Sequence, residues 1–245
     1  MNDTAPAPDG EQARLKLEAA KYAVQLVKSG MIVGLGSGST AVIAIEQIGA
    51  RLAAGELRDI VGLPTSLVVE RKARALGIPL VSLENPPMVD LTIDGADEVD
   101  PDLNLIKGGG GALLREKVVA QLSYREVIIV DESKQSPKLG TKHFLPVEVI
   151  PFAWGAQSRF LMALGATVTL RRNSAGQIST TDQGNYTLDC QFGPIPDALA
   201  LAKQLSERAG IVEHGLFLDL ATDLILASKT GVQHLQRAQP KPFPL

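Results

Sequence analysis

The chain has 245 residues, 45% hydrophobic and 21% charged, the make-up of one large or two small globular domains; a wholly disordered or fibrous chain is excluded. Lys and Arg number 24 against 27 Asp and Glu, net −3, so the basic surplus that drives phosphate-backbone binding is missing and no nucleic-acid partner is expected. The single cysteine, Cys190, excludes an intrachain disulfide and a multi-thiolate metal site, and reads as a small core residue in a reducing, cytoplasmic compartment.

Residues 1–10 carry no signal-peptide pattern and read as a flexible tail. From 11 to 28 the apolar residues Leu15, Ala19, Ala20, Ala23, Val24 and Val27 recur at helical spacing, with Ser29-Gly30 as the stop. A strand at 31–35, a Gly-rich loop at 36–40 and a helix at 41–52 follow. Next come a strand at 60–63, a helix at 66–76, and strands at 78–83 and 89–93. Such alternation predicts a parallel sheet with crossover helices. A helix at 112–122 and a strand at 127–130 extend it, and the lysine-rich, proline-containing stretch 131–146 is a candidate boundary. Beyond it the pattern gives a strand at 147–150, a helix at 154–164, strands at 166–170 and 185–189, and a helix at 197–209. Short strands at 216–218, 223–227 and 232–235 are expected to return to the first domain, and 241–244, rich in proline, ends loosely. The expectation is an α/β fold: a Rossmann-like parallel-sheet domain from 1–140 plus 211–245, with a smaller α+β, ferredoxin-like domain over 141–210. No stretch reaches the roughly 18 apolar residues of a membrane span, so no membrane partner is expected.

Three loops carry candidate chemistry. In Gly34-Leu35-Gly36-Ser37-Gly38-Ser39-Thr40, backbone N–H groups and hydroxyls converge on a helix N-terminus, an anion site suited to phosphate. No Gly-Lys-Ser/Thr follows, which excludes a P-loop. Gly36-x-Gly38-x-x-Ala41 fits the permissive dinucleotide fingerprint, but Leu63-Pro64-Thr65-Ser66 stands where its acidic residue belongs. Asp94-Gly95-Ala96-Asp97-Glu98 places three carboxylates after an apolar strand, where mutual repulsion can tune one of them for proton transfer. A solvated acidic turn and a hard-cation site are the other readings of that loop, the latter weakened by the distance of His143, His214 and His234. Lys107 precedes four glycines, Gly108 to Gly111, a costly stretch unless something approaches its backbone closely. Lys107 can stabilise an oxyanion or a phosphate. Glu116, early in the next helix, reads as a general base or as a solvated helix charge, and Lys134 as a ligand of the same sheet edge or a surface lysine. Without metal or redox cofactor, the set suits proton abstraction beside a carbonyl in a small phosphorylated substrate, with electrostatic stabilisation of the enediolate oxygens.

These motifs, with Ile106-Lys107-Gly108-Gly109-Gly110, Arg115-Glu116-Lys117, Ser133-Lys134 and Leu145-Pro146-Val147-Glu148-Val149-Ile150-Pro151, resemble in order and spacing the ribose-5-phosphate isomerases of the A type, from about residue 11 to 235. The resemblance implies an aldose–ketose isomerase of the pentose phosphate pathway that interconverts ribose 5-phosphate and ribulose 5-phosphate with no cofactor or metal. It implies that Glu116 moves the proton between C2 and C1 through a cis-enediolate. Asp94 and Asp97 would serve ring opening and hydroxyl protons, and Lys107 the oxyanion. Ser37, Gly38, Ser39, Thr40 and Lys134 would bind substrate, largely at its phosphate, while Gly95, Ala96, Gly108, Gly109 and Gly110 would complete the substrate-binding set. It further implies a homodimer or homotetramer. Ser37 departs from a place often held by threonine and keeps the hydroxyl. Two rival classes are a non-catalytic sugar-phosphate sensor, which would lack the base, and a CoA-transferase-like enzyme, which would form a glutamyl thioester.

Overall fold

The computed structural model describes residues 10–84 and 88–238. The tail expected at 1–10, apart from Gly10, and the end at 241–244 lie outside these residues. Helix α1 (Gly10–Val24) buries Leu15, Ala19, Ala20, Ala23 and Val24, the face read from the sequence. Strand β1 (Ile32–Leu35), helix α2 (Ser39–Ala53), strand β2 (Val61–Pro64), helix α3 (Leu67–Ala75) and strand β3 (Val89–Asp94) follow. Two-residue strands β4 (Glu98–Val99) and β5 (Leu105–Ile106) precede helix α4 (Leu113–Leu122) and the long strand β6 (Ser123–Asp131). A 3-10 turn at Glu132–Lys134 leads to β7 (Leu145–Val149), α5 (Trp154–Ala163), β8 (Thr167–Leu170), β9 (Tyr186–Gln191), α6 (Ala198–Ser206) and β10 (Ile211–His214). Strands β11 (Leu216–Phe217), β12 (Asp223–Ser228) and β13 (Gly231–Gln236) close the chain.

Among the described residues the chain divides into two compact units: 10–96, 115–134 and 219–238 in one, 97–114 and 135–218 in the other. The first is built on a six-stranded sheet of order β13-β12-β6-β3-β1-β2, parallel except for β13. Strand β2 lies on one side of β1 and β3 on the other, so the direction of winding reverses between β1 and β3. That crevice is where open α/β sheets bind ligands. Central strands read as unbroken apolar runs because both faces are covered: Val127, Ile128, Ile129 and Val130 of β6 are all buried. Leu15, Ala19 and Val24 of α1 and Ile45 and Ile48 of α2 share one core with Leu91, Ile93, Ile129 and Ile225 of the sheet. Each such Leu or Ile contributes about 1.5–3 kcal/mol.

The second unit runs β7-α5-β8-β9-α6-β10 with sheet order β10-β7-β9-β8, every pair antiparallel, a ferredoxin-like arrangement. Its core joins Leu145, Val147, Leu161, Leu188, Leu201 and Leu205 with Cys190, a buried thiol that burial pushes above its usual range. A three-stranded sheet, β11-β5-β4, belongs to the same unit.

Three expectations are corrected. Residues 78–83 form no strand: only Leu80 bridges to Gly62, since Pro79 has no N–H to give a ladder. Residues 211–218, expected beside the parallel sheet, pair instead with β7 and β5; only β12 and β13 return. The stretch 97–114 also belongs to the second unit, through β4 and β5, strands too short to show a period. No helix among the described residues is long and apolar enough to cross a membrane.

Candidate active site

Strands β1, β2, β3 and β6 run parallel, so the loops that follow them open on one edge of the sheet. The chain leaves β1 at Gly36, pressed against β3: a Cβ there would lie 2.4 Å from the Ile93 carbonyl oxygen and from Asp94 Oδ1. Only glycine allows that approach. The Gly36 N–H donates to the Ile93 carbonyl at 3.0 Å, and the Ser37 and Gly95 N–H groups donate to Asp94 Oδ1 at 3.0 and 2.7 Å. Asp94, fully buried at the end of β3, is thereby oriented by backbone amides from both sides of the switch point.

Ser37 Oγ lies 2.7 Å from Thr65 Oγ1 and 3.3 Å from Ser66 Oγ, hydroxyls of the β2–α3 junction. Ser66 caps α3 by accepting from the Val69 N–H at 3.1 Å. Gly38 turns the chain with φ of +91° in open space and delivers Ser39 and Thr40 as the first residues of α2. Among the described residues no side chain caps α2, and Lys16 Nζ donates to Ser39 Oγ at 3.0 Å. Two helix N-termini, several hydroxyls and a lysine ammonium thus gather around one loop. Gly95 and Ala96 are half-buried beyond Asp94. Glu116 is buried in the first turn of α4, and Lys134 ends the 3-10 turn after β6, on the edge that carries the β1 and β3 loops.

The second unit holds the remaining candidates. Asp97 donates its N–H to the Ile106 carbonyl at 2.9 Å, and its Oδ2 accepts from the Gly109 N–H at 2.7 Å. Lys107 is buried, with its N–H on the Gly215 carbonyl at 2.9 Å and its Nζ 5.5 Å from the centre of the Phe217 ring, a cation–π distance. Gly108 has φ of +102°, and a Cβ there would come within 2.7 Å of the Leu113 side chain. At Gly109 a Cβ would stand 2.8 Å from an Asp97 carboxylate oxygen, whereas Gly110 meets open space.

The first unit therefore brings together Ser37, Gly38, Ser39, Thr40, Asp94, Gly95 and Ala96 and carries Glu116 and Lys134; the second brings Asp97 to Lys107, Gly108, Gly109 and Gly110. Lys107 and its glycines follow an antiparallel strand of the small sheet. One placement differs from expectation. Glu98, the third carboxylate of the acidic loop, is fully buried and accepts from Ser136 Oγ and from the N–H groups of Gly140, Thr141, Lys142 and His143. Its work is to fold the 136–143 loop. Sequence reasoning missed Lys16, Thr65 and Ser66. Thr65-Ser66 carried a signal, a second strand–hydroxyl–helix junction, but Lys16 is one of many charges on a helix. Among the described residues no group of three or more His, Cys, Asp or Glu could hold a metal ion. The first unit thus holds a buried carboxylate and a hydroxyl-lined helix N-terminus, groups that suit proton transfer on a small anionic substrate.

Comparison with known proteins agrees with that chemistry. The family model described as ribose 5-phosphate isomerase A (phosphoriboisomerase A) matches residues 61–231. A ribose-5-phosphate isomerase A of Desulfatibacillum aliphaticivorans is 56% identical over 227 residues, 93% of this chain and 99% of its own. One of Chloroflexus aurantiacus is 60% identical over 220 residues, 90% of this chain and 92% of its own. The solved structure of a D-ribose-5-phosphate isomerase in complex with phospho-erythronic acid superposes with a TM-score of 0.90 at 39% identity, covering 92% of this chain and 99% of that one. A ribose 5-phosphate isomerase A from Methanocaldococcus jannaschii gives 0.87 at 41% identity, with 92% and 99% covered.

Proposed function

The chain belongs to the ribose 5-phosphate isomerase A family, and from that premise we propose the part each residue plays in converting ribose 5-phosphate to ribulose 5-phosphate. The protein is an aldose–ketose isomerase. Glu116 is the base: it takes the proton from C2 of the open-chain sugar and returns it to C1 of a cis-enediolate. The reading is carried by one observation, a glutamate held buried in the first turn of α4. Lys107 stabilises the oxyanion that develops at the carbonyl, the largest single contribution to such a reaction. Asp94 and Asp97 open the furanose ring and exchange protons with the O1 and O2 hydroxyls. Ser37, Gly38, Ser39, Thr40 and Lys134 hold the phosphate, a reading supported by the uncapped start of α2 and the hydroxyls of Thr65 and Ser66 beside Ser37. Gly95, Ala96, Gly108, Gly109 and Gly110 offer backbone groups to the sugar. No cofactor or metal takes part.

Formation of ribulose 5-phosphate in EDTA-containing buffer tests the reading, with the wild type set against Glu116→Gln. The wild type turns over, and the variant loses at least about a hundredfold, the scale of a general base. A folded wild type that binds ribose 5-phosphate without converting it would return the sensor reading, and a glutamyl thioester formed with CoA the transferase reading. The protein acts in the cytoplasm as a homodimer or homotetramer, in keeping with its single buried cysteine. Light scattering that gives only the 26.0 kDa of one chain would overturn the assembly.

A further inference from the structure

Arg171, on the residue after β8, lies outside every motif read from the sequence, yet it is tied to the glycine loop. Its Nε donates to Asp189 Oδ1 and Oδ2 at 3.1 and 3.0 Å, and its Nη2 also bonds Asp189 Oδ1, a fork-on-carboxylate pair with side chains only 14% and 17% exposed. Asp189 projects from β9, opposite Thr169 of β8, so the pair is mounted on the sheet. The remaining arm, Nη1, donates to the carbonyls of Gly108 at 2.9 Å and Gly109 at 3.1 Å. The guanidinium also lies 5.7 Å from the centre of the Phe144 ring, which limits its freedom further.

The peptide between Gly108 and Gly109 is planar, so its C=O and N–H point in opposite directions. Its C=O accepts from Arg171, and its N–H donates to Asp97 Oδ2 at 2.7 Å. A lone glycine peptide could flip, because neither residue has a Cβ to resist rotation. Held from one side by a sheet-anchored guanidinium, it cannot flip without losing a charge-assisted bond. Hydrogen bonds in series also polarise one another, so the guanidinium strengthens the N–H that grips the carboxylate.

We propose that Asp189, Arg171 and the Gly108–Gly109 peptide form a positioning relay that fixes the Asp97 carboxylate for the isomerisation. The inference rests on the reading of Asp97 as a catalytic group. Arg171 is a positioning residue, and its loss misplaces Asp97 while the phosphate-binding residues stay in place.

The test uses the full chain and compares Arg171→Ala, Asp189→Asn, Asp97→Asn and the double variant Arg171→Ala/Asp97→Asn, with kcat and KM for ribose 5-phosphate and thermal unfolding measured for each. Arg171→Ala is expected to lose about tenfold to a hundredfold in kcat, the effect of a misplaced catalytic group, with KM moved far less. Added guanidinium ion restores part of that kcat. In the Asp97→Asn background the arginine substitution costs nothing more, because both act through one carboxylate. If Arg171→Ala does not fold, Asp189→Asn carries the test, with a smaller loss of the same kind. Wild-type kcat in a folded Arg171→Ala, a loss confined to KM, or losses that multiply in the double variant would overturn the relay while leaving Asp97 catalytic. Full activity of Asp97→Asn would overturn the catalytic reading and the relay with it.

Discussion

Gly36→Ala tests how tightly the switch point is built. The added Cβ would lie 2.4 Å from the Ile93 carbonyl oxygen and 2.5 Å from the Asp94 Cα, both backbone atoms of a central strand. Ordinary contact begins about 1 Å further out, so β1 and β3 must part by about that distance at their C-terminal ends. Parting breaks the Gly36 N–H bond to Ile93 and the Ser37 N–H bond to Asp94, both 3.0 Å long. Overpacking costs about 1–3 kcal/mol and each of the two hydrogen bonds about 1 kcal/mol, so the fold should lose about 3–5 kcal/mol. For a chain of this size that lowers Tm by roughly 6–20 °C. A shift of about 1 Å in Asp94 and the Ser37 loop should also reduce kcat about a hundredfold. Thermal unfolding and the rate of ribulose 5-phosphate formation read the two effects separately. Gly155→Ala is the control: its Cβ meets nothing within 4 Å inside α5, and alanine favours the helix. Wild-type Tm and kcat in Gly36→Ala would refute the claim that backbone proximity at this glycine sets the site.

Three further substitutions read the buried carboxylates. Glu98→Gln turns an amide NH2 toward donors of the 136–143 loop whichever way it is placed, and should cost at least about 3 kcal/mol in urea unfolding; an unchanged midpoint would show that the loop folds without it. Burial alone would raise the Asp223 carboxyl, but bonds from Arg125, Thr222, His234 and Gln236 override it and hold the group well below its usual range. Its stabilisation is therefore present above the unfolded value of about 3.9 and lost as pH falls toward the folded one, so Asp223→Asn should flatten the acid limb of a Tm–pH profile; a limb of unchanged depth would count against the network. Burial pushes the Glu148 carboxyl upward, against the bonds from Asn185 and Thr181 and with the help of Glu213 and Asp182. A raised carboxyl stabilises the fold as pH drops through its folded value and penalises it above, so Glu148→Gln should gain Tm relative to wild type at pH 8, with the gain shrinking toward about pH 4; a constant difference across that range would contradict the assignment.

The parallel sheet was legible because its strands are apolar runs that alternate with amphipathic helices, and β1, β3 and β6 stand where those runs end. The β1 loop and Asp94 were legible for a related reason: glycine and hydroxyl clusters have few uses other than close backbone approach and anion binding. What stayed hidden is non-local. Strands β4 and β5 have two residues each and exist only through pairing, β4 with β5 and β5 with β11. The sheet that β10 joins is decided by partners more than 60 residues upstream, Val147 and Val149 of β7. Glu98 follows directly on Asp97 in a run whose acids look alike in sequence, and only the donors of residues 136–143 separate the two. Arg171 and Asp189 are 18 apart and become a pair through the β8–β9 register alone.

The most direct test of the central claim is proton exchange at the sugar carbon. Ribose 5-phosphate is incubated with the enzyme in D2O, and deuterium at C2 of the recovered substrate and at C1 of the ribulose 5-phosphate is followed by NMR. The account predicts that wild type introduces deuterium as it converts substrate, and that Glu116→Gln slows exchange and conversion together by at least about a hundredfold while still binding ribose 5-phosphate. Exchange and conversion at wild-type rates in folded Glu116→Gln would place the base elsewhere and contradict the account.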